Sequence, residues 1–313
     1  MMVDNLNKKV VKVQVLLSTY NGQEFLEEQV KSILNQQGVH THILVRDDGS
    51  TDNTLSVLKK LKRKYPDRLD YFLDKNIGYK KSFIELMKDT SLDFDYFAFS
   101  DQDDFWKPKK LEIGISKIKS INKPYKLYAS TVIISDSFLK PLYKKDISNF
   151  VPTLGSALNR IRLAGCTYIF SKELLKEAKK FDFQRVSIKK MPSHDGFLMT
   201  LCLALDGEIY VDQNSYILHR RLESSVTSGG NGVFKRLEHE WNLVFNSNNH
   251  TSILANKINK NIGRKLGKSQ RELITEIINY KRNKWKLLTD KRFDCGMFWG
   301  NLEFKLKVIF NTL

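Results

Sequence analysis

The densest chemistry in this chain is Asp101-Gln102-Asp103-Asp104, three carboxylates within four residues. Such crowding is electrostatically costly unless positive charge offsets it. A divalent cation does so, and oxygen ligands favour Mg2+ or Mn2+ over softer metals. In that arrangement Asp103 binds the metal directly, and Asp101 holds a ribose or reaches the metal through water. The plainer alternative is a helix cap with a solvated acidic turn. A second acidic step, Asp47-Asp48-Gly49-Ser50, can accept hydrogen bonds from a nucleobase N–H or from ribose hydroxyls. Gly49 lets the backbone turn sharply beneath such a ligand. Here the alternative is a loop followed by an N-cap. Asn76-Ile77-Gly78 either braces the same site or is only a turn.

The elements that must position these residues can be read from periodicity. Val10 to Leu17 predicts a strand that ends in the turn-forming Ser18-Thr19-Tyr20-Asn21-Gly22. Phe25, Leu26, Val30, Ile33 and Leu34 then recur at helical spacing. His42 to Val45 predicts a second strand, with Ser50 placed to cap the helix carrying Leu55, Leu58 and Leu61. Leu69 to Leu73 and Tyr96 to Phe99 predict two more strands. A helix from Gly78 to Lys88 lies between them, and another begins near Pro108. This alternation predicts an α/β fold with a mostly parallel sheet and helices on both faces. Such folds bind ligands at the carboxyl ends of their strands. Asn21, Asp47, Asp48 and Asp101 to Asp104 all fall there.

Beyond Pro124 the pattern loosens. Tyr128 to Ile134, Leu163 to Phe170 and Ile209 to Val211 predict strands, and Ser171 to Lys180 and Asp195 to Leu205 predict helices. Ser224 to Gly232 reads as a loop, and the rest as helices. The chain therefore divides into an α/β domain over residues 1–231, with halves over 10–123 and 124–231, and a basic helical region over 232–313.

Composition narrows the function. The 313 residues carry a net charge of +17 and are 41% hydrophobic, enough for a continuous core. No apolar run is long enough to span a bilayer and no secretory leader is recognisable, so a cytoplasmic protein is expected. Three scattered cysteines argue against a disulfide framework or a zinc motif. From Gly232 onward there are 16 Lys or Arg against 7 Asp or Glu, a net +9. That excess suits an anionic surface. Phe298, Trp299, Leu302, Leu306, Ile309 and Phe310 form an apolar stripe broken by Lys305 and Lys307. The stripe lies on the inner face of the cell membrane, packs on the catalytic domain, or joins a second subunit in a homodimer.

Taken together, Ser18-Thr19-Tyr20-Asn21-Gly22, Asp47-Asp48-Gly49-Ser50-Thr51-Asp52, Asn76-Ile77-Gly78 and Ser100-Asp101-Gln102-Asp103-Asp104-Phe105-Trp106 resemble the family 2 glycosyltransferases of the GT-A fold. The last segment is most similar to the bacterial rhamnosyltransferase branch, which builds surface polysaccharides. The resemblance implies a nucleotide-diphosphate sugar donor, such as dTDP-rhamnose or a UDP-sugar, and a glycan or lipid-linked oligosaccharide acceptor. It also implies a Mg2+ or Mn2+ cofactor, and a catalytic domain over 1–231 with its nucleotide-binding half over 10–123 and its acceptor side over 124–231. Thr19, Asp47 and Asp48 would line the nucleoside pocket, with Asn21 and Asn76 alongside. Asp101 and Asp103 would form the Asp-x-Asp metal motif.

The branch's His-Asp pair matches His194-Asp195, making Asp195 the general base, although a carboxylate in a first helical turn is also favoured by the helix dipole alone. Of the family's Arg-x-His, Arg220 matches the arginine that contacts diphosphate, but Leu222 replaces the histidine. His219 or Arg221 could compensate. Gly165-Cys166-Thr167 would lie near the acceptor. Gly229-Gly230 would hinge a lid or belong to a plain linker.

The chemistry agrees with inverting transfer: a stabilised diphosphate leaves while a carboxylate takes the acceptor's proton. A sugar-nucleotide pyrophosphorylase is the nearest competing enzyme, but the loop after its first strand should carry a basic residue, and Ser18 to Gly22 has none. A basic nucleic-acid-binding protein would account for the charge but not for acids ending successive strands, and no nucleic-acid motif is present. No nucleic-acid partner is expected.

Overall fold

The computed structural model describes residues 10–160, 163–221, 241–242, 244–245 and 250–313. Leu222, the Ser224–Gly232 loop with its Gly229-Gly230 pair, and Leu243 lie outside the described residues.

The first half follows the expected alternation. Strands β1 (Val11–Thr19), β2 (Val39–Asp47), β3 (Leu69–Leu73) and β4 (Tyr96–Ser100) alternate with helices α1 (Leu26–Leu34), α2 (Thr54–Lys64) and α3 (Tyr79–Asp89), and α4 (Lys110–Lys119) follows the short strand β5 (Phe105–Trp106). With β6 at Lys126–Ser135, β8 at Ile169–Ser171 and β9 at Glu208–Arg220, the sheet order is β3-β2-β1-β4-β8-β6-β9-β5, in which β3, β2, β1 and β4 are mutually parallel. Adjacent parallel strands therefore deliver the turns after Thr19, Asp47 and Ser100 to one edge of the sheet.

The second half differs from the periodicity reading. Strand β6 (Lys126–Ser135) pairs in parallel with β9, while β8 (Ile169–Ser171) runs antiparallel between β4 and β6. Only the end of the strand expected over Leu163 to Phe170 forms, because Gly165–Thr167 makes a 3-10 turn. Strand β9 runs from Glu208 to Arg220, far beyond Val211. His219 and Arg220 thus end a strand. Strand β7 (Pro141–Lys144) pairs with the end of β6.

Helices α5 (Leu154–Asn159), α6 (Lys172–Ala178) and α7 (His194–Ala204) cover one sheet face. Val15, Leu17, Ile33, Ile43, Val45, Leu58, Ile115 and Trp106 fill the core on the other face. The tail helices α8 (His250–Ile262), α9 (Lys268–Ile278), α10 (Lys284–Thr289) and α11 (Phe298–Phe310) share a core with α5 and α7 through Leu254, Ile258, Ile274, Phe304 and Val308. Asn159 donates to the Phe293 carbonyl at 2.5 Å and to Asn301 Oδ1 at 2.8 Å, and Arg160 pairs with buried Glu303 at 3.0 Å. The described tail helices therefore dock on the catalytic fold.

Candidate active site

Three loops meet at the carboxyl edge of the sheet. Gln102 ties the first to the third: its Oε1 accepts from Thr19 Oγ1 at 2.6 Å and from the Tyr20 amide at 2.8 Å. Its Nε2 donates to the Tyr20 carbonyl at 3.2 Å. Asn21, in the left-handed region at φ 49°, accepts from the Thr51 amide at 2.8 Å and so joins the first loop to the second. Gly49 has φ +80°, and a Cβ there would stand 2.8 Å from the Asn76 backbone nitrogen, so only glycine lets these loops close on each other.

The two adjacent aspartates of the second loop are not equivalent. Asp48 accepts from buried Arg46 and from the amides of Ile77 and Gly78, each at 2.9 Å, which spends its carboxylate on the scaffold. Breaking such a buried ion pair costs about 3–5 kcal/mol. Asp47 accepts from the Ser50 amide at 2.7 Å, while its buried Oδ2 has no partner. Asn76 Oδ1 accepts from the Gly78 amide at 3.2 Å, a local turn.

Asp101, Asp104, Cys166 and His219 bring one ligand atom each within 4.8 Å of one another. Asp104, the acid that had been assigned no role, is fully buried, and His219 Nδ1 bonds to its Oδ1 at 2.7 Å. The charge of Asp104 pushes His219 up to about 9, against the opposing effect of burial. Burial and the charges of Asp104, Asp103 and Asp195 push Asp101 up to about 8, and His219 offsets part of this. Burial and Asp104 also push Asp103 up to about 6. The carboxylate of Asp103 does not belong to the four-atom cluster. Arg220, expected on diphosphate, is instead committed to protein. Its Nε donates to the Asp103 carbonyl at 2.9 Å, Nη1 to the Ser137 carbonyl and Nη2 to Glu28 at 2.5 Å, with its carbon centre 4.2 Å from the Phe25 ring. In this structure Arg220 holds the backbone of the acidic loop.

Asp195 sits in the first turn of α7, capped by Ser193, and its Oδ1 accepts from the Gly196 amide at 2.8 Å. Its charge is among those that oppose ionisation of Asp101. Both charges also reach Tyr79, which burial first, then Asp195 and Asp101, push up to about 12. Tyr79 packs edge-on against the His194 ring at 6.4 Å, one residue before Asp195. Periodicity does not single out Tyr79; its one signal is its place after Asn76-Ile77-Gly78. Gly165 packs against this wall, since a Cβ there would lie 2.9 Å from both Asp195 Cβ and His194 Nε2. A separate concavity of about 520 Å³, lined by Glu24, Glu27, Glu28 and Lys31 among others, holds none of these groups, and its three glutamates would repel a diphosphate.

His194 is buried and stacked on Phe83 at 3.8 Å, with neither ring nitrogen bonded. Burial pulls its pKa down to about 4, despite the opposing pull of Asp195. A base with a depressed folded pKa contributes stability above its unfolded value, and that contribution fades as pH falls toward the folded value. Between pH 7 and 4.5 this group alone is expected to remove roughly 2–3 kcal/mol of stability. Urea unfolding of His194→Phe should show a correspondingly flatter pH dependence; parallel curves for the two proteins would refute it.

A parallel β–α half whose acidic loops converge, joined to a mixed half that supplies a facing carboxylate, defines a glycosyltransferase of the GT-A type. Residues 14–189 match the family model described as Glycosyl transferase family 2, and the chain belongs to that family. It is 33% identical over 239 residues to the dTDP-rhamnosyl transferase RfbG of Shigella flexneri, covering 74% of this chain and 79% of that protein. An uncharacterized glycosyltransferase of Rickettsia typhi is 27% identical, with 73% and 70% covered. Among solved structures, S. aureus TarS 1-349 in complex with UDP-GlcNAc shares the fold at TM-score 0.55 and 16% identity, covering 90% of this chain and 78% of that one.

Proposed function

We propose that this glycosyltransferase moves a sugar from a nucleotide-diphosphate donor to an acceptor hydroxyl with inversion, in surface-polysaccharide assembly. The reading is supported by the family match and by the closeness of Asp195 to the Asp101 loop: Gly165 packs against Asp195, and the adjoining Cys166 belongs to the cluster with Asp101. Asp195 accepts the hydroxyl proton as the acceptor oxygen attacks the anomeric carbon and the nucleoside diphosphate departs from the opposite face. Asp47, with its unpartnered Oδ2, accepts from the donor's base or ribose, beside Thr19. Asp48, Asn21, Asn76 and Arg220 hold the loops. Asp101 and Asp103, two acids whose ionisation is opposed in the protein alone, suit Mg2+ or Mn2+, which when bound neutralises charge developing on the diphosphate.

The similarity to a dTDP-rhamnosyl transferase makes dTDP-rhamnose the first donor to test, with UDP-sugars second. A panel of sugar nucleotides, assayed for hydrolysis with and without chelator, tests the reading. One metal-dependent donor is the expected result; no turnover of any donor would overturn it.

We propose further that the protein rests on the cytosolic face of an anionic membrane. No helix among the described residues is long and apolar enough to cross one. Helix α11 buries Phe304 and Val308 but leaves Phe298, Ile309 and Phe310 exposed. Phe310 packs with exposed Phe245 and Trp241 at 5.1 and 6.4 Å. Such an aromatic cluster in a basic tail suits the lipid interface. Removing two large apolar side chains from it should weaken binding at least about tenfold. Sedimentation with phosphatidylglycerol vesicles compares the wild type with a Trp241→Ala/Phe310→Ala variant, and equal sedimentation would remove the proposal.

A further inference from the structure

Two large aromatic side chains stand in solvent on the hairpin that joins β6 to β7: Phe138 is 90% exposed and Tyr143 53%. Hydrogen bonds fix the turn that carries them. Asp136 Oδ1 accepts from the amides of Phe138 and Lys140, each at 2.9 Å, and the Asp136 amide donates to the Lys140 carbonyl at 3.1 Å. Leu139 takes a left-handed φ of 63° to close it. Lys144 Nζ ties the following strand to the Gln213 carbonyl of β9 at 3.2 Å. Rings held out in water on a rigid support gain by being covered and lose little freedom when a ligand covers them.

The hairpin adjoins the acidic loop. Arg220 donates from Nη1 to the Ser137 carbonyl and from Nε to the Asp103 carbonyl, so one guanidinium holds the residue before Phe138 against the loop after β4. The sheet register supplies a second link. Tyr143 pairs with Ile134 of β6, and Ile134 pairs with His219 of β9. Residues directly opposite one another share a face of the sheet, so these three side chains form one row. His219 comes within 4.8 Å of Asp101, and two strand spacings set Tyr143 about 10 Å further along the row.

We propose that the β6–β7 hairpin is an acceptor shelf, on which Phe138 and Tyr143 stack against sugar rings of an oligosaccharide whose reacting end lies at the Asp101 loop. The inference rests on the transferase reading and adds to it that the acceptor is a glycan of two or more rings, not a single sugar. A pyranose presents a flat face of C–H groups, which carry partial positive charge and settle on the negative face of an aromatic ring. Exposed aromatics also suit a bilayer, but these are held beside the proposed reaction centre, where a glycan must lie for its hydroxyl to be used. At its distance along the row, Tyr143 meets the sugar behind the reacting one.

The test measures binding of the full chain, with dTDP and Mn2+ present, to an array of rhamnose-, glucose- and N-acetylglucosamine-containing oligosaccharides of one to four rings. Some three- or four-ring glycan is expected to bind about tenfold more tightly than its terminal monosaccharide, the worth of covering an aromatic face. Phe138→Ala/Tyr143→Ala should erase that advantage, and Phe138→Tyr/Tyr143→Phe should retain it. Trp285→Ala is the control for loss of an exposed aromatic, since Trp285 is 79% exposed on tail helix α10. Equal affinity for one ring and for four, or an advantage that survives the double alanine variant, would overturn the shelf. Loss of phosphatidylglycerol-vesicle binding in that variant with glycan binding intact would give the hairpin to the lipid instead. Donor hydrolysis without acceptor should be unchanged in the double alanine variant, and reports separately on the transferase reading.

Discussion

Asp195→Asn is expected to lower sugar transfer about 10²–10⁴-fold, the usual worth of a positioned general base, while donor affinity changes little. The amide is nearly isosteric and still accepts from the Gly196 amide, so the α7 N-terminus should keep its Ser193 cap. What is lost is the basic oxygen of the proposed proton acceptor, which lies against Gly165. Donor affinity by calorimetry and turnover with acceptor separate the two effects. Unimpaired turnover would exclude Asp195 as the base, and a parallel loss of donor affinity would place its role in binding.

Asp101→Asn should be comparably damaging, by about 10²–10³-fold in turnover, as for loss of one preorganised electrostatic group. Four charged groups act on Asp101: Asp104, Asp103, Asp195 and His219. The substitution relieves that crowding, so thermal stability should rise as activity falls, a combination that simple unfolding cannot produce. Asp103→Ala should also lose activity, with a weakened response to added Mn2+. If Asp103→Ala retained full activity while Asp101→Asn did not, the metal role would fall to Asp101 alone of the expected Asp-x-Asp pair.

Much of the nucleotide-binding half was legible from residue types. Val11 to Thr19 and the helices carrying Val30, Leu58 and Phe83 announce themselves by apolar period, and their loops by Asn-Gly and Asp-Gly pairs. The second half was harder because strand β9 carries Asp212-Gln213-Asn214-Ser215, a polar run that reads as a loop. It stays in the sheet through irregular register with β6 around Ser130 and Thr131. Missing that stretch left His219 and Arg220 outside any expected strand. Local sequence also cannot tell which of two adjacent acids faces the scaffold. Asp47 and Asp48 look alike until buried Arg46 and the Ile77 and Gly78 amides claim Asp48. Asp104 reads as a cap residue until His219, 115 residues later, comes to bond it.

The Arg220 side chain reaches back 192 residues to Glu28 and 117 to the Asp103 carbonyl. Contacts this distant in sequence must wait until the intervening chain exists. During synthesis the early β–α units can pair as they leave the ribosome, yet their acidic loop lacks its anchor until β9 emerges. A nascent chain stalled before Arg220 would thus carry a largely assembled parallel sheet and an unassembled reaction centre. Competence arrives late in translation, with strand β9.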